Sequence, residues 1–274
     1  MSIVGGVDVG STNTKLVLME DSRTLAAEVR PTGANCRGTA NALLDAALQS
    51  SQRQRSEIRH IVSTGYGRRL VDFADDTISE ISANARGALW LHTGDPPVQT
   101  IIDVGGQDSK VISVDRSGRV INFAMNDKCA AGTGRFLEVA SRILEIDLDT
   151  LSELSLKTNK RVEISSVCAV FAETEIVSLI SRGQSIEDIA AGLHHSIARR
   201  VGGVVATVGL REAVFFDGGP ALNGGLIKAF EKELGVPLIV PESPQIVTAI
   251  GAALVARDRL SANGHRSEDK ADDL

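Results

Sequence analysis

The chain has 274 residues, a formal net charge of −6 and 43% hydrophobic residues, which suits one large or two smaller globular domains. The negative charge and the lack of a long basic run argue against a nucleic-acid partner. No apolar run approaches the roughly 18 residues of a membrane span. We expect no signal peptide, because the strand pattern starts at residue 3 without a basic segment or a cleavage site before it. Three widely spaced cysteines do not make a disulfide framework. We therefore expect a cytoplasmic protein with reduced thiols.

Strand and helix patterns alternate in residues 1–97 and predict the first of two α/β subdomains. A strand at 3–9, a polar turn at 10–12 and a strand at 15–19 form a predicted hairpin. The next predicted elements are a strand at 25–29, a helix at 39–52, a short strand at 60–63 and a helix at 82–91. The run Gly94-Asp95-Pro96-Pro97 then breaks the pattern.

The opening pattern recurs in a second predicted subdomain, residues 98–260. Strands at 100–104 and 110–114 flank a polar turn, about 95 residues after the first hairpin, and an Asp again stands two residues before the glycine of the turn. This recurrence indicates an internal duplication. The remaining predicted elements are strands at 120–124, 213–216 and 237–240 and helices at 132–145, 171–182, 186–208, 225–234 and 245–257. The polar tail, residues 261–274, is expected to be disordered.

The first polar turn has the composition of a phosphate-binding loop, although it lacks the spacing of the two common phosphate motifs. A glycine lets the backbone approach an anion, hydroxyl and N–H groups donate to phosphate oxygens, and a lysine supplies positive charge. Asp8 is the predicted Mg²⁺ ligand, through water. The alternative is a plain hairpin turn. The predicted nucleotide-binding residues are Gly10, Ser11, Thr12, Asn13, Thr14 and Lys15.

Two later turns extend the same prediction. The second turn supplies Gly105, Gly106, Gln107 and Asp108, and the third supplies Gly218, Gly219 and Asn223 after another strand. We expect the third turn to let an adenosine approach the backbone. Asp103, with Gln107, is the predicted base or water-positioning group for hydrolysis. Asp103 could equally hold a metal-bound water.

Two of the three cysteines stand at matching places. Cys129 and Cys168 each follow a strand-like stretch and precede a predicted helix, where free N–H groups and the helix dipole favour a thiolate. A cubane iron–sulfur cluster normally takes four thiolates, so two chains related by a two-fold axis would supply the set. Alternatively, both are structural residues, since free cysteine behaves as a small apolar side chain. Cys36 is expected to be a free thiol in a loop.

Taken together, these residues resemble the acetate/sugar kinase–Hsp70–actin superfamily of ATPases. Within it they are most similar to the activators of 2-hydroxyacyl-CoA dehydratases and the ATPase subunits of benzoyl-CoA reductase, known as the BadF/BadG/BcrA/BcrD type. The resemblance covers residues 3–257. It rests on the runs DVGSTNTK from residue 8, STGYGR from 63, IDVGGQDSK from 102, MNDKCAAGTGRF from 125 and SSVCAVFAETE from 165. Asp217 departs from the family, which usually has Thr there.

The resemblance implies a duplicated ribonuclease-H-like, actin-like fold with two subdomains around a nucleotide cleft. It implies a homodimer with one [4Fe–4S] cluster held by Cys129 and Cys168 of each subunit, with ATP or ADP and Mg²⁺ bound. It further implies that reduced ferredoxin or flavodoxin supplies an electron. ATP hydrolysis would drive that electron into a 2-hydroxyacyl-CoA dehydratase-like partner.

Other functions remain open from the sequence. Within the resemblance, the chain could instead be an ATPase subunit of an aromatic acyl-CoA reductase, such as benzoyl-CoA reductase, or of a double-cubane cluster reductase. A small-molecule kinase of the same superfamily would have no reason to keep paired cysteines at helix starts. A sensor that binds nucleotide without useful turnover is the third class.

Overall fold

The computed structural model describes residues 2–127, 129–160, 162–164 and 169–268. Cys168 and residues 269–274 of the predicted tail lie outside them. The described chain forms ten strands and eight α-helices. In order they are β1 (Ile3–Val9), β2 (Asn13–Glu20), β3 (Arg23–Pro31), α1 (Cys36–Ser51), β4 (Ile58–Thr64), β5 (Asp76–Thr77), α2 (Glu80–Leu91), β6 (Thr100–Val104), β7 (Ser109–Val114), β8 (Val120–Asn126), α3 (Gly134–Ile143), α4 (Leu148–Ser155), α5 (Ala169–Ser181), α6 (Ile186–Val208), β9 (Val214–Asp217), α7 (Gly224–Leu234), β10 (Leu238–Ile239) and α8 (Val247–Glu268).

The chain divides into two compact units, and their sheets have the same topology. The first unit holds the residues up to Thr93 and those from Gln245, and the second holds Gly94–Pro244. The first sheet has the order β3-β2-β1-β4-β5, and the second has the order β8-β7-β6-β9-β10. In each sheet the first three strands in sequence are antiparallel, and the last two run parallel to the first. The predicted duplicated α/β fold is confirmed.

Side chains alternate along the central strands of the first sheet and divide into two apolar layers, as the two-residue period of a strand requires. Val7, Leu16 and Leu18 pack on the α1 side, with Leu43 and Ala47. The opposite layer packs on α2 and α8 and contains Val4, Val17, Met19, Val62, Ala83, Ala249, Ile250, Ala253 and Leu254.

Helix α8 corrects the predicted boundary between the subdomains. Residues 245–260 were assigned to the second subdomain by their position in the sequence, but Ala249 and Leu254 are buried against β1, β2 and α2 of the first unit. The helix also continues to Glu268, so residues 261–268 are helical where disorder was expected. The position of this helix in the sequence does not reveal its packing, because the apolar layer that it completes lies about 160–250 residues earlier in the chain.

Two other elements differ from the prediction. Helix α4 was not predicted; Asp147 caps it by accepting a hydrogen bond from the Thr150 N–H, at 2.7 Å. The predicted helix at 132–145 is instead a 3₁₀ turn, Ala130–Gly132, followed by α3 from Gly134. No helix among the described residues is both long and apolar enough to cross a membrane.

Contact between α2 and α8 depends on glycine, because a Cβ at Gly251 would collide with the carbonyl oxygen of Ala83. Since backbone cannot yield as a flexible side chain does, we predict that Gly251→Ala lowers the free energy of unfolding by about 1–3 kcal/mol. Gly203 in α6 is the control, because nothing lies within 4 Å of its Cβ position. Gly203→Ala should be neutral or stabilise by about 0.5–1 kcal/mol. Equal urea midpoints for the two variants would refute the packing argument.

Candidate functional site

The first polar turn joins β1 to β2, and the strand register places an acid opposite a base. Asp8 pairs with Lys15 across the hairpin, and Lys15 Nζ lies 2.8 Å from Asp8 Oδ2. The N–H of Gly10 donates to the carbonyl of Asn13 at 3.1 Å and closes the turn. The Lys15 side chain is 18% exposed, so it can reach an anion at the turn while keeping its ion pair.

Asp8 itself is buried, and its Oδ1 atom has no hydrogen-bond partner among the described residues. A buried carboxylate oxygen without a donor is costly unless a cation or water satisfies it. This supports the prediction of a water-mediated Mg²⁺ contact at Asp8. Within the described residues, no group of three or more His, Cys, Asp and Glu side chains could hold a metal ion unaided.

The second polar turn repeats the first, with one added charge. Asp103 pairs with Lys110 across β6 and β7, and the Gly105 N–H donates to the Asp108 carbonyl at 2.8 Å. Lys110 Nζ lies 3.3 Å from Asp103 Oδ2 and 2.9 Å from Asp108 Oδ1, and its side chain is only 2% exposed. A fully buried cation therefore holds two buried carboxylates together. Lys110 was not among the residues predicted for the site.

The third turn lies beside the second, because β9 runs parallel to β6 with Asp217 next to Asp103. Gly218 has a φ of +90°, and a Cβ there would lie 2.9 Å from Asp103 Oδ1. Only glycine fits both the backbone conformation and the close approach. The structure thus brings two of the predicted turns together around Asp103.

The first unit has a turn equivalent to this third turn. Its glycine was not among the residues predicted for the site. Gly65 follows β4 with a φ of +85°, and a Cβ there would lie 2.6 Å from Asp8 Oδ1 and 2.5 Å from the Val9 carbonyl. Gly65 thus relates to Asp8 as Gly218 relates to Asp103. The equivalence of the two glycines is visible in the sequence repeat, because a glycine follows the fourth strand of each sheet.

The other predicted nucleotide residues differ in their exposure and in the hydrogen bonds that they already form within the protein. Ser11 and Gln107 are exposed at the tips of their turns, and nothing lies within 4 Å of the Cβ position at Gly219. Thr14 is buried, and its hydroxyl lies 2.9 Å from that of Thr32. Asn223 caps α7, where its Oδ1 accepts from the Leu226 N–H at 2.9 Å. The backbone carbonyl of Thr12 accepts from Thr32.

Cys129 is a half-buried residue that directly precedes the 3₁₀ turn Ala130–Gly132. The expectation that a helix N-terminus faces its sulfur needs correction. The α3 helix starts only at Gly134, and the N–H groups of Gly134 and Arg135 donate to the carbonyls of Gly105 and Gly106, both at 2.9 Å. These donors therefore bind the second polar turn and are not available to the thiol.

Another group supplies positive charge to this sulfur. Arg200 of α6 places Nη1 at 3.6 Å from Cys129 Sγ. A cysteine sulfur beside a guanidinium fits the requirements of an iron–sulfur ligand, which binds as a thiolate. This contact could not be predicted from the sequence, because the two residues are 71 positions apart. Cys36, expected in a loop, is the first residue of α1 and packs against the α1-side layer of the first sheet.

Comparisons with known proteins fit this geometry. Residues 6–256 match the family model described as the BadF/BadG/BcrA/BcrD ATPase family. The chain belongs to this family. A relative from Anaerotignum propionicum, named activator of lactoyl-CoA dehydratase, is 44% identical over 92% of this chain and 96% of its own length.

Two solved structures of similar proteins share the fold. One is an activator of 2-hydroxyisocaproyl-CoA dehydratase from Clostridium difficile with bound ADPNP, with a TM-score of 0.91 and 41% identity over 96% of this chain and 97% of that one. The other is component A of the (R)-2-hydroxyglutaryl-CoA dehydratase of Acidaminococcus fermentans. Its TM-score is 0.89, with 41% identity over 95% of this chain and all of that one. As a BadF/BadG/BcrA/BcrD ATPase, the chain binds and hydrolyses ATP.

We predict that Lys110→Met lowers the free energy of unfolding by about 3–5 kcal/mol, because it leaves two buried carboxylates without their cation. Lys228→Met is the matched control. Lys228 also forms an ion pair, 2.7 Å from Glu231, but its side chain is 71% exposed, so its removal should cost less than about 1 kcal/mol. Chemical denaturation at neutral pH measures both. Similar losses of unfolding free energy in the two variants would show that the buried ion pairs of Lys110 stabilise the fold no more than an exposed pair does.

A second prediction concerns His194, which is buried and whose Nδ1–H donates to the Ala190 carbonyl at 2.7 Å. Burial lowers the pKa of His194 below its usual 6.5, although hydrogen bonds with Ala190 and Asn223 act in the opposite sense. Below pH 6.5 the unfolded chain takes up a proton that the folded chain refuses, so stability falls as the pH drops. His194→Gln should remove this slope just below pH 6.5. His195→Gln, at the neighbouring position, should keep it; loss of the slope in both variants would contradict the assignment.

Proposed function

We propose that this ATPase is an electron-transfer activator, which uses ATP to pass a low-potential electron to a 2-hydroxyacyl-CoA dehydratase-like enzyme in the cytoplasm. The observation that carries the proposal is the pair of backbone hydrogen bonds that connects a phosphate-type turn to the segment of Cys129. Gly105 and Gly106 accept hydrogen bonds from Gly134 and Arg135, which lie five and six residues after Cys129. The activator names of the relatives support the choice of partner.

Each polar turn carries groups suited to bind phosphate. The backbone around its glycine and its exposed polar groups would donate to phosphate oxygens, and Lys15 would add positive charge. Asp8 would hold Mg²⁺ through water, and the bound ion would neutralise charge on the phosphates. Asp103 and Gln107 would position the attacking water. Asp103 is fixed for this task by Lys110 and by the close approach of Gly218.

Cys129 and Cys168 are the proposed ligands of a [4Fe–4S] cluster shared by two subunits, which would supply one-electron redox chemistry when bound. The surface beside Cys129 supports a homodimer. On the edge strand β8, Ile121, Phe123 and Met125 alternate on one side and are 52%, 52% and 42% exposed. Apolar side chains grouped in this way are typical of a surface that another protein covers. Reduced ferredoxin or flavodoxin is the proposed electron donor.

The test is substitution of each cysteine followed by anaerobic purification and iron analysis. Cys129→Ser and Cys168→Ser should each lose the iron and the brown colour, and neither should reduce an acceptor in the presence of ATP. Cys36→Ser is the matched control and should keep the iron, because Cys36 packs in the first unit.

Full iron in either the Cys129 or the Cys168 variant would refute the ligand assignment. A colourless parent protein that phosphorylates a sugar would favour the kinase alternative instead.

A further inference from the structure

Arg200 lies at the middle of α6 and reaches the segment that follows β8. Its Nη1 atom is 3.6 Å from Cys129 Sγ, within reach of a hydrogen bond to sulfur. Helix α6 packs against the 3₁₀ turn Ala130–Gly132 and against β8. The guanidinium is thus carried by a 23-residue helix, and its position is set by the core of the second unit.

Gly132 makes room for this side chain. A Cβ at Gly132 would lie 3.1 Å from Cδ and 3.4 Å from Cγ of Arg200, so the methylene groups of the arginine lie directly on the turn. Asn126 closes the other side, where its Nδ2 donates to the Cys129 carbonyl at 3.1 Å. Packing therefore holds the guanidinium beside the sulfur, which an exposed and mobile arginine side chain would not do.

We propose that Arg200 is a positioning residue for the cluster, and that its guanidinium donates to the Cys129 sulfur and raises the reduction potential. The inference rests on the proposed function, since it needs Cys129 to be a ligand. Reduction transfers one electron from a ferredoxin-type carrier to the cluster and breaks no bond, so the reduced form carries one more negative charge. A fixed cation and a charge-assisted hydrogen bond stabilise that form more than the oxidised one.

The experiment is an anaerobic redox titration of the iron-loaded protein, followed by the absorbance of the cluster and by electron paramagnetic resonance. Arg200→Met keeps the length of the stem but removes the charge and the donor. We expect it to lower the equilibrium constant for one-electron reduction by about tenfold or more, which is a shift of about −59 mV. Arg200→Lys keeps the charge without the planar fork and should fall between Arg200→Met and the parent.

Arg199→Met is the matched control, because it removes the same charge one position away. Its side chain is 52% exposed and lies 3.6 Å from Glu163, so the potential should stay at the parental value. Gly132→Ala is a second test, since it keeps Arg200 but crowds its stem; the potential should again fall. If Arg200→Met does not hold iron, Gly132→Ala decides the question.

The outcomes separate this inference from the function on which it rests. Iron-loaded Arg200→Met or Gly132→Ala with the parental potential would overturn the role of Arg200 and leave the cluster in place. An equal shift in Arg199→Met would also overturn it, because the effect would then come from overall charge. A parent protein without iron would overturn both proposals.

Discussion

The Asp–Lys pair across each polar hairpin is the interaction on which the rest of the site depends. Antiparallel register places Asp8 opposite Lys15 and Asp103 opposite Lys110, so the acid and the base share one face of the sheet at the end of the central strand. The carboxylate is buried in both units, and only a partner of opposite charge makes that burial tolerable. The turn that follows is thereby fixed by the strand pairing, which leaves its backbone in place for a ligand.

Duplication has preserved the geometry while the two copies have acquired different charges. The turn residue whose carbonyl accepts from the glycine is Asn13 in the first copy and Asp108 in the second. In the second copy Lys110 therefore gains a second carboxylate and is enclosed, whereas Lys15 keeps part of its surface. One lysine is available to an anion, and the other holds the acids of its turn together. The aspartate at this position of the repeat provides the second carboxylate that contacts Lys110.

Much of the fold could be predicted from the sequence, because strands with continuous apolar runs and glycine turns are local signals. The three turns, their acids and the recurrence after about 95 residues are of this kind. What could not be predicted depends on distant packing. Helix α8 joins the first unit through Ala249 and Leu254, and Arg200 reaches Cys129 across 71 positions. The place of Gly65 beside Asp8 could be predicted from the sequence, because a glycine follows the fourth strand in both copies of the repeat.

In the second unit, a short segment of backbone and two hydrogen bonds connect the turn at Gly105 and Gly106 to Cys129. The Gly105 and Gly106 carbonyls accept hydrogen bonds from the first two residues of α3. The 3₁₀ turn before α3 directly follows Cys129, and the stem of Arg200 lies against that turn at Gly132. A displacement of the turn must move the start of α3 or break both hydrogen bonds. Because the stem of Arg200 lies against Gly132, a displacement of the segment would also change the distance from the guanidinium to the Cys129 sulfur. The electrostatic environment of Cys129 and the backbone of the second turn are thus parts of one packed structure.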